Sequence, residues 1–262
     1  MSGMTLPSFV PPAGHRLVVL GACGGMGLAL VQAAHALGLE VTALDMPAAF
    51  GGKSLPAGVH AAHCDVSQEA QVQEAFEQIG ARWGRIDALV NLVGYTGERI
   101  TVADMPTKEW DDIVNTDLRG MFLVARAAAP WLQASAAQGH SPAAVLVSST
   151  FGVAVPFPGY APYATSKAGV INLVRALATE WAPGVRVNGL APGVIATPFL
   201  KGGTGRAEKK TGLDVARFLE TVPLRRLGDP MEIAAPLLYM LSPAASFLTG
   251  QTIHVNGGSY MA

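Results

Sequence analysis

The chain has 262 residues, of which 50% are hydrophobic and 14% are charged, and its formal net charge is −1. A near-neutral chain without a basic tract does not indicate nucleic-acid binding, and no apolar run reaches the roughly 20 residues that span a membrane. Two cysteines, Cys23 and Cys64, are too few for a disulfide framework and predict a cytoplasmic protein. Residues 1–15 lack a signal-peptide pattern and are expected to form an extended lead-in.

Short apolar runs then alternate with helical patterns. Strands are predicted at 16–22, 40–45, 59–65, 86–94, 143–150, 185–193 and 251–258. Helices are predicted at about 26–37, 67–84, 107–136, 163–182 and 230–243, with Ser67 as an N-cap and Gly120 or Pro130 as positions for a bend. This alternation predicts one doubly wound α/β domain over residues 1–262, a Rossmann fold whose mostly seven-stranded parallel sheet is flanked by helices.

The least regular stretch, residues 197–222, follows directly after a predicted strand end. Loops at that end of a parallel sheet carry function, so we expect a substrate lid there. It carries a cluster of basic residues, Lys201, Arg206, Lys209 and Lys210. They would attract an acidic substrate, but a solvated lid explains them equally well.

The first strand–helix junction carries a glycine-rich turn, LGACGGMG. Gly21, Gly25 and Gly27 follow a predicted strand and open a helix. There the backbone can approach a pyrophosphate, and the helix N-terminus attracts its charge. The spacing differs from the common G-x-G-x-x-G, so a purely structural turn is the alternative; the flanking strand and helix favour a dinucleotide site.

Asp45 closes the second predicted strand, where a carboxylate can accept both hydroxyls of an adenosine ribose. It would repel a 2′-phosphate, and no Arg or Lys lies in the glycine turn or directly after Asp45. We therefore predict NAD rather than NADP as the cofactor. The alternative is an ordinary solvent-facing aspartate. Asp65, at the end of the third strand, is expected to meet the adenine edge.

Tyr163 and Lys167 lie four residues apart and share one face of a predicted helix. A free tyrosine titrates near pH 10, and an adjacent ammonium lowers that pKa, which makes the phenol a usable acid or base. Ser149 ends a strand at the predicted ligand crevice. Because side chains alternate along a strand, only one of Ser148 and Ser149 can reach that crevice. Tyr160 has no lysine four residues on.

These motifs, in this order, resemble the short-chain dehydrogenase/reductase family over residues 15–260. The pattern T-G-x-x-x-G-x-G is matched by LGACGGMG, N-N-A-G by NLVG at 91–94, Y-x-x-x-K by Tyr163 and Lys167, and the P-G motif by APGVIATPF. The resemblance implies that Tyr163 exchanges the proton and that Ser149 orients the substrate oxygen. It implies that Lys167 lowers the tyrosine pKa and holds the nicotinamide ribose, and that Asn115 anchors a relay water.

The resemblance also implies a set of cofactor contacts and no metal. The cofactor-binding residues expected on this basis and from the motifs above are Gly21, Gly25, Met26, Gly27, Asp45, Asp65, Val66, Asn91, Gly94, Tyr163, Lys167, Pro192, Gly193, Ile195 and Thr197. Two departures stand out. Leu20 replaces a threonine whose hydroxyl braces the glycine turn, and Leu92 and Val93 put bulkier apolar side chains near the cofactor.

We thus expect an oxidoreductase that interconverts a small secondary alcohol and a ketone with NAD(H). One alternative is a 3-oxoacyl-thioester reductase using NADPH, which Asp45 argues against and the basic lid mildly supports. Another is an inactive nucleotide-sensing protein, which the intact catalytic set disfavours. The resemblance implies a homo-oligomer, a dimer or tetramer. Phe151, Val155, Phe157 and Tyr160 suggest an apolar substrate wall, without identifying the substrate.

Overall fold

A computed structural model describes residues 6–207 and 215–261 of the chain. The strands are β1 Arg16–Leu20, β2 Glu40–Asp45, β3 His60–His63, β4 Ala88–Asn91, β5 Ala143–Val147, β6 Arg186–Pro192 and β7 Thr252–Val255. The α-helices are α1 Gly25–Ala36, α2 Glu69–Trp83, α3 Thr107–Val114, α4 Gly120–Ala137, α5 Ala161–Glu180, α6 Val215–Thr221 and α7 Met231–Leu241.

The strands form one seven-stranded sheet in the order β3-β2-β1-β4-β5-β6-β7, and every neighbouring pair is parallel. The prediction of a seven-stranded parallel sheet flanked by helices is therefore confirmed. The order reverses between β1 and β4, which run side by side but are separated in sequence. In sheets of this kind ligands bind at the carboxyl ends of the strands beside such a reversal.

Successive side chains of β1 point to opposite faces of the sheet, so this strand packs against the helices on both sides. Val18 and Leu20 pack into the core formed with α2, α4 and α5, whereas Leu17 and Val19 pack into the core formed with α1 and α7. All four side chains are at most 1% exposed. A strand buried on both faces must be apolar at consecutive positions, and for this reason RLVVL shows no polar alternation.

The predicted long helix at 107–136 is interrupted where it passes the site. It consists of α3, a π-helical turn at Asn115–Arg119, and α4. The irregularity thus ends directly before Gly120, and Pro130 lies within α4. A π turn admits one extra residue per turn and shifts the phase of the side chains that follow, and such turns are frequent at functional sites.

Two other local expectations need correction. Ser67 precedes α2 without capping it: Gln68 is the N-cap residue and makes no side-chain cap, while the Ser67 hydroxyl donates to Asp65 Oδ1 at 2.8 Å. The irregular stretch at 197–222 contains a short 3-10 turn at Pro198–Lys201 and the helix α6. Lys209 and Lys210 lie outside the described residues.

Candidate active site

The glycine-rich turn leaves β1 in a conformation that side chains disfavour. Gly21 has φ +73°, and a Cβ there would lie 3.2 Å from the Leu92 carbonyl carbon. A Cβ on Gly27 would overlap the carbonyl oxygen of Gly21. The turn is held to β2 by Gly21 N, which donates to Leu44 O at 3.0 Å. Leu20 thus lacks the family hydroxyl, and main-chain bonds brace the turn.

Most of the predicted cofactor residues line one groove at this turn. Asp45 lies in it and accepts hydrogen bonds from Cys23 N at 2.9 Å and Met46 N at 2.8 Å, one on each carboxylate oxygen. Burial raises the pKa of Asp45, although these two bonds and the nearby Arg206 act in the opposite direction. The predicted residues that line the groove are Gly21, Gly25, Met26, Gly27, Asp45, Asp65, Val66, Gly94 and Thr197.

A second cavity, of about 400 Å³, adjoins the groove. Met26, Leu92, Gly94, Thr197 and Phe199 line both spaces, so the two are continuous. The predicted residues that line the cavity are Met26, Gly94, Ser149, Tyr163, Lys167, Pro192, Gly193, Ile195 and Thr197.

Asn91 lines neither space. It is fully buried at the end of β4, where its Oδ1 accepts from Val93 N at 3.1 Å. Its Nδ2 makes no hydrogen bond within the described part of the chain. The Asn91 side chain therefore braces the end of β4 against the loop that follows it.

Tyr163 and Ser149 stand together on the cavity wall. The Ser149 side chain lies close enough to lower the pKa of Tyr163, and Ser149 Oγ accepts from Phe151 N at 3.2 Å. The Ser148 hydroxyl donates a hydrogen bond to Lys167 O at 2.7 Å. Both serines line the cavity, contrary to the expectation that only one reaches it, but the Ser148 hydroxyl is bonded to Lys167 O, which leaves Ser149 as the serine beside the tyrosine.

Lys167 is held by two main-chain acceptors and one carboxylate. Its Nζ donates to Val93 O at 3.1 Å and to Val147 O at 3.3 Å, and it lies 3.5 Å from Asp117 Oδ2 in a buried ion pair. The same Nζ lies 5.6 Å from the centroid of the Tyr163 ring. The ammonium is thus near the phenol, but a carboxylate offsets its charge.

The pKa of Tyr163 is raised above its ordinary value, which is opposite to the sequence-based expectation. Burial is the largest cause, and the negative charge of Asp117 adds to it, while the Ser149 side chain lowers the pKa. The expectation considered Lys167 alone. It missed a carboxylate that arrives from another helix and faces the same ammonium.

The prediction that the Asn115 side chain lies in the site beside Lys167 is wrong. Its side chain is exposed, whereas Asp117, two residues later, is fully buried against Lys167. Residues two apart on a helix point to nearly opposite sides. Ile113, Asp117, Gly120 and Val124 recur at helical spacing and form the buried face, and Asn115 does not lie on that face.

The segment after β6 joins the lid to the glycine turn. A Cβ on Gly25 would lie 2.5 Å from Thr197 Cγ2, so Thr197 packs directly on the turn. Ile195 forms an isolated bridge with Gly228. These contacts fix the start of the lid at the junction of groove and cavity.

The cavity walls are largely aromatic and aliphatic. Phe151, Phe157 and Tyr160 line the cavity as expected, whereas Val155 is 56% exposed and does not line it. Sequence reasoning missed Phe199, Leu200 and Phe218, which the lid segment and α6 contribute. No periodic pattern marks them, because the chain there is mostly irregular.

Two of the basic lid residues lie at different places. Arg206 lines the cofactor groove and lies 4.0 Å from the centroid of the Tyr95 ring. Lys201 is exposed in the 3-10 turn that opens the lid. Within residues 6–207 and 215–261, no group of three or more metal-ligating side chains is found. In the same ranges no helix is both long and apolar enough to cross a membrane.

The chain is similar to known reductases over most of its length. A family model described as enoyl-(acyl carrier protein) reductase matches residues 21–260. The 3-oxoacyl-[acyl-carrier-protein] reductase FabG of Thermotoga maritima is 32% identical over 252 residues, which cover 94% of this chain and 97% of the relative. The NADH-dependent L-xylulose reductase of Ambrosiozyma monospora is 34% identical over 266 residues, with 94% of each chain covered.

Among solved structures, a 3-ketoacyl-(acyl-carrier-protein) reductase from Brucella melitensis, crystallised with NADH, has a TM-score of 0.85 against this chain. The two are 28% identical, and the match covers 97% of this chain and 100% of the other. The names of these three relatives include both an acyl carrier protein and a sugar, and two of them mention NADH.

Proposed function

The chain belongs to the short-chain dehydrogenase/reductase family, whose members here are NAD(P)-dependent oxidoreductases of CH–OH groups, and we propose that it interconverts an apolar secondary alcohol and its ketone with NAD(H). The observation that carries this proposal is the placement of Tyr163 and Ser149 together on the wall of a largely apolar cavity. That cavity opens into a groove that contains Asp45.

The groove residues fit a dinucleotide. The turn at Gly21 and Gly27 excludes side chains and brings main-chain atoms to the N-terminus of α1, which suits a pyrophosphate. Asp45 presents a carboxylate at the ribose end, and Lys167 and Thr197 stand at the junction with the cavity. When bound there, the nicotinamide cofactor supplies or accepts the hydride.

The protein residues would then handle the proton. In the oxidation direction the Tyr163 phenolate takes the hydroxyl proton while the carbinol hydrogen leaves as hydride, and in reduction the phenol returns the proton to the carbonyl oxygen. Ser149 donates to the substrate oxygen and fixes its position beside the phenol. Lys167 holds the nicotinamide ribose and contributes positive charge near the phenolate.

The walls favour an apolar substrate over a polyol. Phe151, Phe157, Phe199 and Phe218 surround the space beyond the catalytic pair. A sugar would lose water from several hydroxyls, and each buried hydroxyl without a partner costs roughly 1–3 kcal/mol. An aliphatic or aryl ketone instead gains from burial, at roughly 25 cal/mol per Å² of apolar surface.

A 3-oxoacyl thioester is the second candidate. The relatives from Thermotoga maritima and Brucella melitensis are named for that substrate, and an acyl chain suits the same apolar walls. Arg99 lines the cavity, and its guanidinium lies 5.4 Å from the centroid of the Tyr160 ring, where it could meet an anionic carrier group. Asp45 disfavours NADPH as the reductant.

The test is a comparison of kcat/KM for NADH oxidation with a medium-chain methyl ketone, a keto-sugar and a 3-oxoacyl thioester. We expect the highest value with the apolar ketone. A clear preference for the thioester would support the second candidate, and a preference for the keto-sugar would contradict both.

Tyr163→Phe is the matched catalytic control, because it keeps the aromatic ring and removes the hydroxyl that would exchange the proton with the substrate. We expect it to lower kcat by roughly 10²–10⁴-fold. Binding of NADH, followed by its fluorescence, should stay nearly unchanged. Retained turnover in this variant would exclude Tyr163 as the proton carrier.

A further inference from the structure

We propose that Asp117 is a positioning and charge-tuning residue, which fixes Lys167 beside Tyr163 and offsets the charge of the Lys167 ammonium. This inference rests on the proposed function of the Tyr163 and Lys167 pair. It concerns the carboxylate that the structure brings to them, which the sequence motifs do not include.

The contacts of Asp117 show how it is held. Its side chain is 0% exposed, Oδ1 accepts from Tyr95 N at 2.8 Å, and Oδ2 lies 3.5 Å from Lys167 Nζ. Oδ2 makes no hydrogen bond within the described residues, so the ion pair with Lys167 is the main interaction that offsets the cost of burying the carboxylate. The carboxylate is therefore fixed on one side by the main chain and aimed at Lys167 on the other.

The loop after β4 makes room for this pair. A Cβ on Gly94 would lie 3.1 Å from Lys167 Nζ and 3.6 Å from Asp117 Oδ2. Gly94 also lines both the groove and the cavity. The ion pair therefore lies directly beneath the main chain at the point where the cofactor groove meets the substrate cavity.

The charge of Asp117, rather than its hydrogen bond, is the specific feature. An asparagine could accept the same bond from Tyr95 N through its amide oxygen. It would leave the charge of Lys167 unopposed beside the phenol. Buried charges interact strongly because little water screens them, so the difference between carboxylate and amide should reach Tyr163.

The charged and titratable groups around Tyr163 are few in the described structure. Lys167 lies on the same helix as Tyr163, and Tyr160 directly precedes that helix. Asp117 faces Lys167 from the π turn. Arg206 approaches Asp117 from the lid and favours its ionised form. Asp117 raises the Tyr163 pKa, and removing its charge should reverse that effect.

The experiment is Asp117→Asn, with the pH dependence of kcat/KM for alcohol oxidation as the measurement. We expect the midpoint of the alkaline rise to move to lower pH by about one unit or more, within the usual effect of a neighbouring charge. Asp112→Asn is the matched control, because Asp112 is exposed in α3 and pairs with Lys108. An unchanged midpoint in Asp117→Asn, or one moved to higher pH, overturns the proposal.

A second measurement does not depend on turnover. The ultraviolet absorbance of phenolate, titrated in each protein and in its Tyr163→Phe counterpart, gives the Tyr163 pKa by difference. It should be lower in Asp117→Asn than in the unchanged protein, even if no tested substrate reacts. If Asp117→Asn does not fold, Asp117→Ser, whose hydroxyl can accept from Tyr95 N, takes its place; an equal Tyr163 pKa then overturns the proposal.

Discussion

Asp45 accepts one main-chain hydrogen bond on each carboxylate oxygen and lines the cofactor groove. Each oxygen retains lone pairs that can accept a ribose hydroxyl, whereas a 2′-phosphate would face a fixed negative charge. We expect Asp45→Ala to lower the NAD/NADP ratio of kcat/KM by roughly tenfold or more, because hydrogen bonds to charged groups contribute about 1.5–3 kcal/mol.

The measurement is steady-state kinetics with both cofactors at one substrate concentration series. Asp104→Ala serves as the control, because Asp104 is exposed and bonds to Thr101 away from the groove. An unchanged ratio in Asp45→Ala would refute the assignment of Asp45 to the ribose.

At the same scale, Asn115 and Asp117 illustrate what a motif leaves open. Both residues carry an oxygen suited to a proton-handling site, and they are separated by a single residue. The helical phase and the π turn at Asn115–Arg119 bury Asp117 and expose Asn115. The resemblance suggested Asn115 alone, and the direction of the side chains shows that Asp117 is the residue beside Lys167.

At the scale of elements, the lid and the glycine turn meet over the groove. Arg206 lies across the Tyr95 ring and lines the groove, so its charge is close to where the phosphates of a dinucleotide would lie. We expect Arg206→Ala to raise the Kd of NADH by about three- to tenfold and to reduce the salt dependence of binding, since one cation–phosphate contact is lost.

Fluorescence titration with NADH at two salt concentrations measures both effects. Arg175→Ala is the control, because Arg175 is an exposed arginine on α5 that bonds to Asn172. If the two variants bind NADH equally, Arg206 has no part in holding the cofactor.

At the scale of the whole molecule, Asp117 links the site to folding stability. Burial raises its pKa from 3.8 to about 6. The native state therefore binds more protons than the unfolded state between those values, and the free energy of unfolding should fall as pH rises through that window. Asp117→Asn should flatten this part of the profile.

Urea unfolding at several pH values between about 4 and 7 tests the sign, with the difference between the two proteins as the readout. Taking the difference removes the contribution of other carboxyl groups, such as Asp45, whose pKa is also raised. A parallel pair of profiles would show that the ionisation of Asp117 is not linked to folding.

Assembly belongs to the same scale and stays a prediction. Phe122 on α4 is 45% exposed beneath Arg126, in keeping with a partner surface. Trp131, on the same helix, packs on Gly80 of α2, where an added side chain would overlap the indole.

The sequence alone determined the seven strands, their parallel arrangement, the positions of Gly21, Asp45 and Ser149 at strand ends, and the shared helix of Tyr163 and Lys167. These follow from local periodicity and from residues that the backbone itself requires, which are properties of short segments. The tertiary structure decided that Asp117 rather than Asn115 faces Lys167, that the Tyr163 pKa is raised, and that Phe199 and Phe218 complete the cavity. Those results depend on burial and on contacts between segments that are far apart in the sequence. The Coulomb energy of two charges depends on the distance between them, and the desolvation cost of a charge depends on its burial, so short sequence segments cannot determine either.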